Sequence, residues 1–411
     1  MYIFNYNSDN IQKIHYVYMF LFLICLLFLF ACESKEKTPE FISTSQINII
    51  EATRRPVFLS EFFEDLEYIK LETNEKCLFD KRGASVYLTS KYVIITYFKT
   101  NSAYLFDRNT GKFIKQIGRR GQGPNEYISL VNAGAFDEKE QILYFDRLTE
   151  WIGFHIETDE ISIVKKPRIL NEKIYNRSIS KVANFFKIDS DTYVGYANNF
   201  TRSDSIKLVF FNRNGDVQRT EPNHQTYQKA ENDPSRIKLS VNCGQFYTLN
   251  NSLYFKEAAY NDTIFRITPD SLSTHLTFFT GNKQFQYRFR ELKTFSIQDY
   301  YIVDLLAEKD AYVFFDYWYK REYYLGFFNK DTGETVICEN KDGTSYFVND
   351  FDNIFHFRSA GSNSVGEFYY LIAADYVTSC FQDKKPKSAK LQPLLNTKED
   401  DNPILVIAII P

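Results

Sequence analysis

Residues 103–113 read Ala-Tyr-Leu-Phe-Asp-Arg-Asn-Thr-Gly-Lys-Phe: an apolar strand, a turn built on Asp107, Asn109 and Gly111, then a second strand leading away. Tyr, Leu and Phe suit a pleated, half-buried surface, and Asp, Asn and Gly tolerate the backbone conformations of a tight turn. The phrase returns at Leu208 to Val217 (LVFFNRNGDV) and at Leu325 to Thr335 (LGFFNKDTGET), with degenerate copies at Trp151 to Ile161 and Thr263 to Leu272. Ahead of each lies a further hairpin pattern: Val86 to Tyr97, Gln141 to Asp146, Phe186 to Tyr196, Phe246 to Phe255 and Ala311 to Tyr317. A last unit starts at Tyr346 to Phe357 and continues with Glu367 to Ala373.

Six units, roughly fifty to sixty residues apart and each long enough for four strands, predict an all-β chain folded as a six-bladed β-propeller over residues 46–411. A β-sandwich would not supply the same two-hairpin phrase six times. The 39 Phe and 30 Tyr fit radial packing, in which every blade buries both faces against its neighbours. An open ring would leave two unpaired sheet edges, so one blade is expected to draw strands from both chain ends. Ile47 to Ile50, Tyr68 to Leu71 and the apolar run Pro403 to Ile410 are the candidates. Helical spacing is confined to Leu59 to Leu66 after a Ser60 N-cap, Phe285 to Leu292, and Ala373 to Leu395. Residues 373–400 therefore read as a helical or irregular insertion before the terminal strand, giving minor helical segments near the C-terminus.

The N-terminus carries a different signal. Tyr16 to Phe30 is an uninterrupted apolar run of about fifteen residues, suited to a signal-peptide core and short for a membrane span. It ends Leu29-Phe30-Ala31-Cys32, which resembles the lipobox of bacterial lipoproteins. That resemblance implies removal of residues 1–31, acylation of Cys32 and contact with outer-membrane lipid. Residues 32–45 begin with charged Glu33 to Lys37 and read as a flexible tether.

A net charge of −3 with both signs dispersed and no basic block argues against nucleic acid. Cys77, Cys243, Cys338 and Cys380 show no C-x-x-C pair; export permits disulfides, three pairings are possible, and buried free thiols are the alternative. His155, His224, His275 and His356 share no ligand spacing, and the acidic runs Asp189 to Asp191 and Asn349 to Asn353 lack the pattern of a calcium loop, so neither a metal nor a cofactor is expected. Gly118, Gly121 and Gly123 lack the spacing of a nucleotide loop and read as an inter-blade connection. No motif marks a catalytic residue.

Ile117 to Tyr127 (IGRRGQGPNEY), following Phe106 to Phe113, resembles a recurrent phrase of the six-bladed β-propeller lipoproteins of gut Gram-negative anaerobes, and Asp400 to Val406 (DDNPILV) resembles their C-terminal phrase. Asn125 stands where the usual form has Gly; Asn also tolerates left-handed backbone. The resemblance spans almost the whole mature chain and implies a propeller related to NHL-type repeats and an envelope location, with no established activity. Arg119, Arg120, Gln122, Asn125 and Tyr127 are the candidate binding residues of this loop, the arginines for an anion and Tyr127 for stacking. Asp204-Ser205-Ile206, Asp262-Thr263-Ile264 and Asp270-Ser271-Leu272 resemble the O-glycosylation signal of those anaerobes, making Ser205, Thr263 and Ser271 candidate acceptors. The expectation is an outer-membrane lipoprotein, on the cell surface or the periplasmic face, capturing a glycan, peptide or envelope protein on a propeller face. A hydrolase or lyase with axial carboxylates, and a scaffold in an envelope complex, are the alternatives. Converging carboxylates near the axis would favour the enzyme; aromatic and Arg lining would favour binding.

Overall fold

Each repeated phrase forms a hairpin because its turn satisfies its own backbone. In the computed structural model, Asp107 Oδ1 accepts from the Thr110 amide at 2.8 Å and its hydroxyl at 2.7 Å, and the Gly111 amide donates to the Asp107 carbonyl at 2.9 Å. Gly111 sits at φ +67°, and a Cβ there would come within 2.1 Å of the Lys70 carbonyl oxygen. Asn212 with Gly215 and Asn329 with Gly333 repeat the arrangement. In the degenerate copy His155 takes the acceptor's place, its Nδ1 accepting from the Glu157 and Thr158 amides at 3.2 Å. His155 is thus a turn residue.

The structure describes residues 46–410 apart from 131–135, 168–170, 175–176, 181, 198–204, 225–243, 258–260, 269, 287–295, 310, 360, 384–385 and 387. The leader, Cys32, the tether, Cys243 and most of the helix expected at Phe285 to Leu292 lie outside the described residues. Three strands open the fold: β1 (Gln46–Asn48), β2 (Thr53–Arg55) and β3 (Asp65–Lys70). Blade 1 follows as β4 (Ala84–Leu88), β5 (Tyr92–Tyr97), β6 (Ser102–Asp107) and β7 (Phe113–Gln116). Blade 2 is β8 (Phe136–Asp137), β9 (Ile142–Arg147), β10 (Glu150–His155) and β11 (Ile161–Lys165), with a separate hairpin β12 (Asn171–Ile174) and β13 (Arg177–Ser180) behind it. Blade 3 is β14 (Val182–Lys187), β15 (Thr192–Ala197), β16 (Ile206–Asn212) and β17 (Val217–Pro222). Blade 4 is β18 (Gly244–Leu249), β19 (Ser252–Glu257), β20 (Thr263–Ile267) and β21 (Leu272–Phe279). Blade 5 is β22 (Ile302–Glu308), β23 (Tyr312–Tyr319), β24 (Glu322–Asn329) and β25 (Thr335–Cys338). Blade 6 has β26 (Gly361–Ser362), β27 (Phe368–Ile372), helix α1 (Ala374–Asp383), a 3-10 segment (Ala389–Asn396) and β28 (Ile404–Ile409).

The ring closes through both chain ends. β28 lies between β27 and β3, pairing antiparallel with each, Val406 standing opposite Tyr370 on one side and Tyr68 on the other. The N-terminal segment does more than was expected of it: before β3 completes blade 6, β1 adds in parallel to β21 at the edge of blade 4, and β2 to β25 at the edge of blade 5. Two edges that could pair with another chain are thereby covered. Six hydrophobic clusters each join two neighbouring blades, and alternate residues of one strand feed opposite seams. In β28, Ile404, Val406 and Ala408 pack toward blade 5 while Leu405 and Ile407 pack toward blade 1. A strand buried on both faces reads as a continuous apolar run, as this one does. Charged groups lock several seams: the Arg108 guanidinium grips Glu367 with both terminal nitrogens, at 2.9 and 2.7 Å, across blades 1 and 6, and Lys207 pairs with buried Glu257 across blades 3 and 4.

Two expected elements are corrected. Leu59 to Leu66 is not a helix: only Leu59–Glu61 forms a 3-10 turn, after which β3 begins. Pairing with β28 overrides the local helical spacing, and the Ser60 hydroxyl donates to Asp350 instead of capping. Tyr346 to Phe357 is not a blade hairpin; it holds a single bridge between Phe347 and Phe357. Its backbone is used to dock the N-terminal segment, Val348 donating to the Val57 carbonyl and accepting from the Leu59 amide. Blade 6 begins later, at β26. Cys77 and Cys338 are buried free thiols, Cys380 is a half-buried one, and no disulfide joins the described cysteines.

Candidate functional site

Antiparallel order gives the blades two distinct ends. Turns between first and second and between third and fourth strands lie at one end; second-to-third turns and the connections between blades lie at the other. At this connecting end of blade 5 a groove of about 330 Å³ is lined by Ile297, Gln298, Tyr300, Ile302, Trp318, Tyr319, Lys320 and Arg321. Trp318, next to last in β23, stands opposite Ile302 of β22, the first strand of the blade, so the groove opens at the inner part of the blade.

Of the two tryptophans, Trp151 is fully buried whereas Trp318 is 44% exposed. Exposing a large aromatic forgoes a substantial burial term, which marks it for a partner. Its surroundings are ordered. Trp318 meets Tyr323 edge to face at 5.6 Å, and the Arg358 guanidinium carbon lies over Tyr323, 3.3 Å from the ring centroid and 5.8 Å from that of Trp318. On the other strand face Tyr319 stacks on Tyr301 at 4.2 Å, and the Lys283 ammonium donates to the Tyr319 hydroxyl at 2.5 Å. Lys320 and Arg321 form the turn at the rim, both left-handed, with φ +53° and +69°. The same two-residue turn at Asn250–Asn251 uses residues that tolerate this conformation. Long cationic side chains there cost about 1–3 kcal/mol apiece, a pattern found at binding sites. Replacing Lys320-Arg321 with Asn-Gly is expected to raise the unfolding free energy by about 1–2 kcal/mol in chemical denaturation.

Behind the groove lies a pair of carboxylates. Asp304 and Asp316 face each other across β22 and β23, and Asp316 accepts from the Tyr323 hydroxyl at 3.0 Å. Burial, and then the like charge of Asp304, push the Asp316 carboxyl up to about 7. Burial raises Asp304 as well, opposed by the Lys256 ammonium. Lys256, itself fully enclosed, donates to the carbonyls of Glu257, Asn261 and Val303 at 2.7, 2.7 and 3.1 Å and ties blade 4 to blade 5. A second groove, of about 380 Å³, lies at the opposite end between blades 5 and 6. Its two charged groups are already engaged: Glu61 with Arg55, and Lys309 with the Val365 carbonyl. Among the described residues no cluster of three or more His, Cys, Asp or Glu is placed to hold a metal.

The loop singled out in the sequence does not join this site. Arg119, Arg120, Gln122 and Asn125 are exposed in the connection from blade 1 to blade 2, and none lines the blade 5 groove. Arg119 pairs with Glu126 at 3.4 Å, and Glu126 also accepts from the Gly123 amide at 2.8 Å, so the loop satisfies much of itself. Tyr127 is corrected: it is fully buried, stacks on Phe145 at 4.3 Å and donates to the Asn101 carbonyl at 2.6 Å, which removes it from any ligand. Thr263 is half-buried at the start of β20, between buried Asp262 and Ile264. Ser205 and Ser271 are exposed. His275 bonds Glu308, and His356 packs on Tyr346. What sequence reading missed was Trp318 with Lys320 and Arg321; the available signal was Tyr317 to Tyr324 (YWYKREYY), an aromatic run with two cations in its turn.

Fold and site together define a closed six-bladed β-propeller with an aromatic, cationic groove at the mouth of one blade. The chain belongs to the DUF4934 family, a domain of unknown function whose family model matches residues 44–408. No curated protein matches it. A crystal structure of a candidate exported protein from Bacteroides fragilis is similar at 16% identity, with 89% of this chain and 99% of that one covered and a TM-score of 0.63. A member of the DUF4221 family from Bacteroides vulgatus is similar at 12% identity, with 85% and 97% covered and a TM-score of 0.46.

Proposed function

We propose that this protein is an exported, envelope-anchored binding module that docks its ligand in the Trp318 groove. The observation that carries the reading is an exposed tryptophan held rigidly between Tyr323 and Arg358 over a groove with no acidic lining residue. Concave sites with an apolar body and a few oriented polar groups are the usual form of a ligand site. Export is supported by the apolar run Tyr16 to Phe30, and by the description of the Bacteroides fragilis relative as a candidate exported protein. The Leu-Phe-Ala-Cys ending supports acylation at Cys32 and residence at the outer membrane. Ser205 and Ser271, being exposed, stay candidates for O-glycosylation, and Arg119, Arg120, Gln122 and Asn125 for a secondary contact.

Trp318→Ala is expected to weaken capture on a glycan and peptide array by tenfold or more, since a central aromatic anchor contributes about 2 kcal/mol or more. Its melting temperature should shift little, because nearly half of the side chain is already in water. Unchanged capture would end the reading. The facing Asp304 and Asp316 favour a second one, because a carboxyl pushed up to about 7 beside a second carboxyl can serve as a general acid. Products released by the wild type and absent with Asp316→Asn would replace binding with hydrolysis.

A further inference from the structure

Two cations stand on inter-blade connections at the same end of the ring as the groove, Arg358 within 5.8 Å of the Trp318 ring centroid. Arg358 ends the connection from blade 5 to blade 6, and Lys81 lies in the one from blade 6 to blade 1. Lys81 is exposed, and its ammonium is pushed below the ordinary lysine value, first by desolvation and then by the charge of Arg358. Among the described residues neither side chain, nor that of Arg321 at the rim, has a carboxylate at ion-pair distance; Arg358 is engaged by the neutral Tyr323 hydroxyl. Asp316 feels Arg358 but is engaged by Tyr323, and its raised titration leaves it only partly charged at neutral pH. Asp299 and Glu322 adjoin the groove in sequence without lining it. Like charges brought together without a counter-ion raise the local potential and favour an incoming anion. The Arg358 fork is also preorganised: held over the Tyr323 ring, it loses little freedom when its N–H groups bind.

We propose that the groove takes an acidic saccharide, its anionic substituent held by Arg358 and Lys81 and one ring face laid on Trp318. This rests on the groove being the ligand site. A sugar fits better than an acidic peptide, because an extended peptide is held mainly by a free sheet edge. The outer edge of blade 5 is already occupied by β2. An anionic sugar offers a flat C–H face for the indole, hydroxyls within reach of Gln298, and a carboxylate or sulfate for the guanidinium fork.

The test is calorimetric titration of the full chain in detergent with tetragalacturonate, a sulfated tetrasaccharide, neutral galactotetraose and hexaglutamate. Wild type is expected to bind at least one of the two acidic sugars tenfold or more tighter than the neutral one, with affinity falling as salt rises. Arg358→Gln and Lys81→Gln should each weaken that acidic sugar about tenfold and leave the neutral one unchanged, the loss expected for a charged hydrogen bond. Lys112→Gln, at the far end of blade 1, should change nothing. Which acidic sugar responds distinguishes carboxylate from sulfate. Equal binding of acidic and neutral sugars, or indifference to Arg358→Gln, overturns the proposal; if Trp318→Ala then still abolishes neutral-sugar binding, the groove reading stands alone. Tighter binding of hexaglutamate than of either acidic sugar replaces the saccharide with an acidic peptide. No binding of any probe overturns the saccharide proposal, and retained array capture by Trp318→Ala overturns the groove reading independently.

Discussion

Deletion of Asn402–Pro411 is expected to abolish the cooperative unfolding transition altogether. The segment supplies β28, the third strand of blade 6, with Ile404 to Ala408 wholly inaccessible to solvent. Burying each large aliphatic side chain contributes about 1.5–3 kcal/mol, so Ile404, Leu405, Val406 and Ile407 together approach the ~5–15 kcal/mol by which a domain is normally stable. The deletion also strips β3 and β27 of their partner and opens the ring between blades 5 and 1. Asn402 adds a polar plug at the same place. Its side-chain oxygen accepts from the Phe79 amide at 2.9 Å, and its amide donates to the Glu72 and Cys77 carbonyls at 2.7 and 3.0 Å. Differential scanning calorimetry of the truncated chain is the measurement; a single sharp transition near the wild-type temperature would show that the ring closes without this strand.

Glu308→Ala should cost about 3–5 kcal/mol, the loss found when one member of a buried charged cluster is removed. The carboxylate is fully enclosed and holds three partners: the Tyr247 hydroxyl at 2.5 Å, His275 Nε2 at 2.8 Å and the Lys330 ammonium at 2.7 Å. Tyr247 and His275 belong to the first and fourth strands of blade 4, and Lys330 to the outer turn of blade 5, so the variant unlocks one seam and leaves an ammonium without its partner. Burial alone would raise the Glu308 carboxyl, but the His275 and Lys330 interactions outweigh it and hold the group below the ordinary glutamate value. A carboxyl depressed in the folded state stabilises above its unfolded pKa and loses that contribution as pH falls through its folded value. Wild type should therefore lose stability below about pH 4.5. Glu308→Gln should start less stable at neutral pH and show a smaller loss over that acid range. Equal slopes for the two proteins in acid denaturation would remove Glu308 from the pH response.

Five of the six blades were legible in the chain because the reading rested on local chemistry. Asp107 with Gly111, Asn212 with Gly215 and Asn329 with Gly333 build their turns from residues five or fewer apart, and the apolar runs on either side need only alternate or stay buried. Blade 6 has no such phrase, since its third and fourth strands are residues 404–409 and 65–70 and no turn joins them. β1 and β2, three residues each, are too short for periodicity to reveal, and their existence depends on the edges of blades 4 and 5 being there to pair with.

The candidate site divides in the same way. Strand content, turn chemistry, propeller class and the apolar closing strand follow from residue types at fixed local spacing, because backbone hydrogen bonding and burial act on that scale. Which loop mattered did not follow. Gly118 to Tyr127 has the more conspicuous motif, yet it folds onto Glu126 and Phe145, whereas Trp318, Lys320, Arg358 and Lys81 come from three connections more than two hundred residues apart at their extremes. Only closure of the ring brings these aromatic and cationic groups to one mouth, because separations across the chain are set by blade order and by no pattern within any one blade.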